Sequence, residues 1–517
     1  MTDEQKKNLE QKLWAIANDL RGKMDADEFR DYILGFIFYK YLSERMQIHA
    51  DRVLAADGIH YLDLDVTTDE GQAILAAVHD DAVESLGFHL DPDQLFHKMA
   101  GRGFAGEFII DNLHATLSGI EQSTIGTASQ DEFGNLFEEM DLNSTKLGKT
   151  PDQRNKLISK VLTHLDGIDF RLDDAQSDVL GDAYEYMIGK FASGAGKSAG
   201  EFYTPQEVST ILAGIVTTGK SRLKSVYDPT CGSGSLLLRV AREVPDVGDF
   251  YGQELTRTTY NLARMNMILH GVSYRNFHIA QDDTLEHPQH LDLRAEAIVA
   301  NPPFSAKWTA SPSFLQDERF AEYGKLAPSN KADFAFIQHM LYHLDDNGTM
   351  AVVLPHGVLF RSGAEAAIRR FLIEDKNCLD AVIGLPGAIF YGTSIETAIL
   401  VFRKCRESDD VLFINASQCF EKGKNKNQLR PEDINRIIEG YRERGDEERF
   451  SRNIGRDEIA SNDWNLNIPR YVDTREPEEI IDLGAAAAEA KKIDGEMDIV
   501  DARIQAFCGE LGLECPV

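Results

Sequence analysis

The sequence predicts an α/β protein: a doubly wound, mostly parallel sheet in the middle of the chain, an all-helical region before it and one long helix after it. Three observations carry this. From about residue 170 to 405, short apolar segments alternate with segments of helical pattern. Several of the apolar segments end in polar turns rich in glycine or proline, as the carboxyl ends of parallel strands do. Outside that stretch the apolar residues fall at helical spacings instead.

Residues 1 to about 165 read as helices. Leu9, Leu13, Ile16 and Leu20 are spaced by four, three and four, and Phe29, Ile33, Phe36, Ile37 and Tyr41 repeat the pattern after a helix start in DADE. No catalytic constellation occurs here, and the aromatic residues of LGFIFYKYL are expected in the core. A further helix, AQSDVLGDAYEYMIGKF, leads into the small-residue stretch ASGAGKSAG. That stretch is either a plain linker or a segment that orders on ligand binding.

The strand candidates are VYD, FYGQE, FHIAQ, AIVA, TMAVVLP, LDAVIGLP and ETAILVF. The first runs into DPTCGSG, where Gly232 and Gly234 permit a sharp turn and a close approach to a ligand. The third glycine of a dinucleotide fingerprint is replaced by Leu237, which disfavours a pyrophosphate cofactor. Asp228 at the strand end suits a cationic, amine-bearing ligand. Glu254 at the end of the second strand is placed to accept hydrogen bonds from ribose hydroxyls. Asp282 and Asp283 end the third. The fourth delivers Asn301-Pro302-Pro303-Phe304. The prolines hold this turn extended, so that the Asn301 amide and the Pro302 carbonyl can converge on one donor, such as the exocyclic amino group of a base, with Phe304 offering a stacking face. A plain proline turn is the alternative for this motif alone.

The segment Ser305–Asn330, polar but carrying Trp308, Phe314, Phe320 and Tyr323, reads as a cover over a bound base or as a surface insertion. The basic run Glu421–Pro431 is a phosphate contact or a solvated loop. In the tail, Leu483, Ala486, Ala490, Ile493, Met497, Val500, Ile504, Phe507 and Leu511 alternate spacings of three and four, a heptad seam over about four heptads. Pro477 lies just inside its apparent start, and Gly484 and Gly495 weaken it as an independent helix. The seam predicts either a helix packed on its own domain or a long partner helix.

Composition bounds the rest. The chain has 517 residues, 43% of them apolar, enough for real cores, and six cysteines without metal-like spacing, which read as reduced and intracellular. The opening MTDEQKKNLEQKLW is too polar for a signal peptide, and no apolar run is long enough for a membrane span. The net charge of −31 opposes direct binding to DNA, so either the substrate is not DNA or another subunit supplies the positive surface.

GEFYTP, DPTCGSGSLL, YGQEL, QDDTL, NPPF and PHGVLF, in that order, resemble the S-adenosylmethionine-dependent DNA adenine-N6 methyltransferases. With KADFAFIQHML and LPGAIFYGTSIETAILVF, the chain more narrowly resembles the modification subunit of type I restriction–modification systems. The resemblance implies a Rossmann-like S-adenosylmethionine-dependent methyltransferase sheet and divides the chain at 1–168, 169–473 and 474–517: helical domain, methyltransferase domain and assembly tail. It implies catalytic roles for Asn301, Pro302, Pro303 and Phe304. It implies a cofactor site of Glu201, Phe202, Tyr203, Thr204, Pro205, Gln206, Asp228, Cys231, Gly232, Ser233, Gly234, Glu254 and Asp283, with no metal. Gln281-Asp282 stands where the family often has glycine before the acid, which keeps Asp282 as an alternative to Asp283. The implied partners are duplex DNA, a specificity subunit met through the C-terminal helix, a restriction (motor and nuclease) subunit and a second methylation subunit, in the cytoplasm of a prokaryote.

Overall fold

The computed structural model describes residues 10–14, 26–170, 172, 179–194, 204–390, 394–423, 426–473 and 483–515. It divides into two units, 1–472 and 473–517.

The first unit opens with helices α1 (Ala26–Val53), α2 (Asp69–Ser85), α3 (Phe96–Phe104), α4 (Ile110–Gln122), the single turn α5 (Gln130–Phe133) and α6 (Pro151–Asp166). Residues 10–14 are also helical. Helix α1 is the hub: Ile33, Phe36, Ile37, Phe38, Tyr39 and Leu42 are all but inaccessible, because an almost wholly apolar run must be enclosed on every side. Local chemistry sets the helix starts. Thr68 and Thr150 accept the backbone N–H groups of Gly71 and Gln153, and Pro151 occupies the first turn of α6.

After α7 (Val179–Gly194) and α8 (Gln206–Val216), the chain alternates: β1 (Arg222–Asp228), α9 (Ser235–Glu243), β2 (Asp246–Glu254), α10 (Arg257–Leu269), β3 (Phe277–Gln281), β4 (Ala295–Ala300), α11 (Asp333–His343), β5 (Leu344–Pro355), α12 (Ala364–Glu374), β6 (Leu379–Gly384), β7 (Thr397–Arg403) and β8 (Val411–Asn415). A two-stranded ribbon, β9 (Glu421–Lys422) with β10 (Asn427–Gln428), precedes α13 (Pro431–Glu443), β11 (Ser451–Ile454) and α14 (Arg456–Ser461).

The main sheet has the order β11-β8-β6-β7-β5-β4-β1-β2-β3. Pairs β1–β2, β2–β3, β1–β4, β4–β5 and β6–β8 are parallel; β7 runs antiparallel to β5 and β6, and β11 to β8. Successive residues of the central strands feed opposite cores. Ala297 and Val299 join one with α8 and α9, and Ile298 and Ala300 join the other with α11. That is why AEAIVA is buried at every position. All seven strands anticipated from sequence are present. Strands β8 and β11 of the main sheet and the β9–β10 ribbon, within the run read as a loop, were not anticipated.

The helical region docks against the β2–β3 end of the sheet through α10. Arg264, 2% exposed, donates to the carbonyls of Asp131 and Gly134, and Asn261 to that of Asn135. Tyr41 Oη donates to Ile268 O at 2.9 Å. The Ser305–Asn330 segment is a packed insertion. Trp308, Phe314 and Phe320 form a mutual ring cluster, and Trp308 and Phe320 are buried.

The second unit contains α15 (Leu483–Leu511). It closes at Gly512, whose φ of 65° lets Leu513 N donate back to Cys508 O at 2.9 Å. Ile493, Met497, Val500, Phe507 and Leu511 are exposed. Pro477 lies outside the described residues, as does the ASGAGKSAG stretch beyond Gly194.

Candidate active site

Strands β1 and β4 are hydrogen-bonded neighbours, with Val226 opposite Ala297 and Tyr227 opposite Ile298. From β1 the chain builds the sheet outward through β2 and β3; from β4 it builds the other way through β5. This is the topological switch point of a doubly wound sheet, and the crevice beyond it is where such sheets hold ligands. The DPTCGSG and NPPF turns leave the sheet side by side there.

The first half of the site is stitched together by backbone groups. Gly232 and Gly234 have φ of 54° and 76°, which side-chain-bearing residues rarely adopt. Gly234 N donates to Cys231 O at 2.8 Å, and Cys231 N to Gln253 O at 3.0 Å. Glu254 then accepts at each oxygen: Gly232 N at 3.1 Å and Thr256 N at 2.9 Å. Asn266 on α10 donates to Ser233 O at 2.9 Å. On the other side, Asp282 N donates to Glu254 O at 3.1 Å, which brings in the end of β3. Gly252 forms a cradle, since a β-carbon there would stand 2.9 Å from Cys231 Sγ and 2.8 Å from Ile279 Cδ1.

Burial pushes the Asp228 carboxyl up to about 7, against the hydrogen bond from Thr230 N and helped by the nearby charge of Glu254. Burial also raises Glu254, with the two N–H groups opposing it. The Cys231 thiol is driven well above its ordinary value by burial, so it stays protonated and is no nucleophile. Two acids and no basic side chain at the glycine turn suit a cationic amino-acid moiety better than a phosphate. The donor set therefore fits S-adenosylmethionine.

Asp282 and Asp283 shape their own loop. Asp283 Oδ1 accepts from Leu285 N and Glu286 N, while Asp282 Oδ1 accepts from Asp283 N at 2.7 Å and lies 3.2 Å from His287 Nδ1. Two positioning groups here were missed from sequence. Buried Gln253 donates to Asp282 O and His287 O and accepts from Gln289 N. Arg319, from the insertion after NPPF, donates to Thr284 O and Leu285 O. Gln253 lies within YGQEL, but only its buried carbonyl partners show its task, and Arg319 carries no motif signal at all.

In the second half, Asn301 Oδ1 is buried and has no hydrogen-bond partner. A buried acceptor left unpaired is costly, so Asn301 Oδ1 is available to accept a hydrogen bond at the strand end. Pro302 is buried; Pro303 and Phe304 are half-buried. The Phe304 ring meets Phe390 edge-on, with centroids 5.7 Å apart and planes at 78°. Thr204, Pro205 and Gln206 stand at the start of α8, which packs on α9, β4 and β5. Glu201, Phe202 and Tyr203 lie outside the described residues. Among the described residues no acid, histidine or cysteine cluster could hold a metal.

Strand order and switch-point turns define a Rossmann-like methyltransferase. Residues 175–480 match the N-6 DNA methylase family, and residues 9–165 match the HsdM N-terminal domain. The methylase subunit of the type I restriction enzyme MpnII of Mycoplasma pneumoniae is 38% identical over 93% of this chain and 92% of its own length. That of HindI from Haemophilus influenzae is 33% identical over 58% of this chain and 70% of its own. The crystal structure of a type I restriction–modification methyltransferase subunit from Streptococcus thermophilus is 41% identical, with a TM-score of 0.83 over 90% of this chain and 100% of that one. A chain from a structural study of type I assembly, 18% identical, shares the fold at a TM-score of 0.61. The chain belongs to the N-6 DNA methylases, within them to the methylase subunits of type I restriction–modification systems, and is an adenine-specific DNA methyltransferase.

Proposed function

We propose that the chain holds S-adenosylmethionine along the ends of β1, β2 and β3, and a flipped adenine of duplex DNA against the NPPF turn. The bound cofactor supplies an electrophilic sulfonium methyl. The carboxylate of Glu254 takes the ribose hydroxyls, Asp283 lies by the adenine amino group of the cofactor, and Asp228 with Cys231, Gly232, Ser233 and Gly234 faces the methionine end. Glu201, Phe202, Tyr203, Thr204, Pro205 and Gln206 wall the same site. Asn301 Oδ1 and the Pro302 carbonyl accept from the target amine and raise the electron density on N6. Pro303 stiffens the turn and Phe304 stacks on the base. Methyl transfer to an amine needs alignment rather than a covalent enzyme intermediate, and the target must leave the stack to be reached.

The observation that carries this reading is the buried, unpartnered Oδ1 of Asn301 at the end of β4, the neighbour of the strand that ends in Asp228. The division at 168 and 473 belongs to the same proposal, supported by the two family matches and by a second unit that begins at Asp473. So do the partners: a specificity subunit docked on α15, a restriction subunit and a second methylase subunit, at work in a prokaryotic cytoplasm. Among the described residues no helix is long and apolar enough to cross a membrane.

A pair of variants tests the site. Asn301→Ala is expected to abolish transfer and keep S-adenosylmethionine binding. Glu254→Ala is expected to weaken that binding by about 1.5–3 kcal/mol per lost charge-assisted hydrogen bond. Calorimetry and single-turnover methylation separate the two; wild-type transfer by Asn301→Ala refutes the assignment.

A further inference from the structure

The NPPF turn runs into a residue of unfavourable backbone conformation. Ser305 has φ of 52°, unfavourable for a residue with a β-carbon. Its N–H donates to Asp333 Oδ1 at 2.8 Å, and its hydroxyl lies 3.4 Å from Asp333 Oδ2. Asp333 is the first residue of α11, and its side chain is fully buried. The charge is met by Arg361, whose Nη1 lies 2.8 Å from Asp333 Oδ2 and 3.2 Å from Glu365 Oε1 and whose Nη2 reaches Ser305 Oγ at 3.5 Å. To get there the guanidinium crosses Gly357: a β-carbon at that position would stand 2.4 Å from Nε, 2.5 Å from Nη2 and 2.6 Å from Cζ of Arg361. Gly357 is not among the residues of positive φ, so its backbone does not require glycine; the passage of Arg361 does. The turn is also seated directly, by Ala306 N on Pro303 O and Ala332 N on Ala306 O.

We infer that Asp333, Arg361 and Gly357 form a bracket that positions Asn301 and Phe304 for methyl transfer. The inference rests on the reading of Asn301 as the acceptor of the target amine. It also gives a physical task to two segments, KADFAF and PHGVLFR, that lie 28 residues apart across the bracket. One carboxylate oxygen holds the turn and the other holds the arginine. Loss of Asp333 frees Ser305 to relax and leaves Arg361 to Glu365 alone, and loss of Arg361 leaves the buried carboxylate of Asp333 without its cation.

The test uses the full chain in complex with its copurified specificity subunit, radiolabelled S-adenosylmethionine and unmethylated heterologous genomic DNA. Arg361→Gln, Asp333→Asn and Gly357→Ala are each expected to slow single-turnover transfer about 100-fold, the scale of a misplacement near 1 Å. Affinity for S-adenosylmethionine is expected to stay at the wild-type value, since the bracket touches none of the cofactor residues. Because Gly357 acts only through Arg361, adding Gly357→Ala to Arg361→Gln is expected to change nothing further. Wild-type transfer by Gly357→Ala and Arg361→Gln overturns the bracket, as do additive effects in the double variant or a matching loss of cofactor affinity. Asn301→Ala is run alongside. If it is inactive while the bracket variants are not, the bracket alone is wrong. If it transfers at the wild-type rate, the site reading falls and the bracket with it.

Discussion

A single residue, Asp228, shows how the site trades stability for ligand chemistry. Its carboxyl is held near pH 7 in the folded chain by burial. An unfolded carboxyl titrates about three units lower. Between about pH 4 and about pH 7 the folded state therefore keeps a proton that the unfolded state has lost. Stability from this group falls as pH rises through that window, and the full penalty stands above it. Asp228→Asn removes the penalty. In urea titrations the variant is expected to gain stability relative to wild type as pH is raised from about 4 to about 8, while losing affinity for S-adenosylmethionine. A pH-independent difference would place the charged carboxylate outside the buried crevice. The sequence located Asp228 by its place before a glycine turn; the burial that sets its titration depends on β2, β4 and the loop after β3 closing over it.

At the scale of elements, the glycine turn works because β2 leaves room for it. Gly252→Ala is expected to push Cys231 outward and cost about 1–3 kcal/mol by overpacking, with weaker S-adenosylmethionine binding. Cys231→Ala in the same chain is expected to restore part of both; no restoration would mean that the clash with Ile279 dominates. The long helix α15 raises the opposite question, of room still unfilled. Ile493 and Val500 are 51% and 52% exposed, so aspartate at those positions and at Ile504 costs the isolated unit little. Buried against an apolar partner, the same charges are very costly. The triple variant is expected to bind S-adenosylmethionine normally and to lose copurification with the specificity subunit. Retained assembly would assign the stripe no docking role.

For the whole molecule, charge is the controlling quantity. A net charge of −31 is expected to leave the isolated chain with weak, sequence-independent affinity for DNA at physiological salt, and addition of a basic specificity subunit to restore tight binding. Gel-shift titrations with and without that subunit measure this, and tight site-specific binding by the chain alone would refute the divided labour. Helical region and sheet are joined by polar contacts to carbonyls, such as those of Arg264, rather than by charge pairs alone. Side-chain type does not announce such contacts.

The sequence by itself determined the alternation of strands and helices, the turns that carry Asp228, Gly232, Glu254 and Asn301, and the heptad stripe of the tail. Each of these is local: a period, a glycine or proline, an acid at a strand end. Tertiary structure alone decided the rest. The apolar run of β8 carried no motif, and the polar SRNI of β11 becomes a strand only because β8 offers it an edge. Gln253, Arg319, Asp333 and Arg361 gain their tasks from hydrogen-bond partners 28 to 36 residues away. The unpartnered oxygen of Asn301 is visible only once the chain has packed around it. Hydrogen-bond satisfaction is a property of the packed molecule, so the tasks that residues perform through it cannot be read in the chain until it folds.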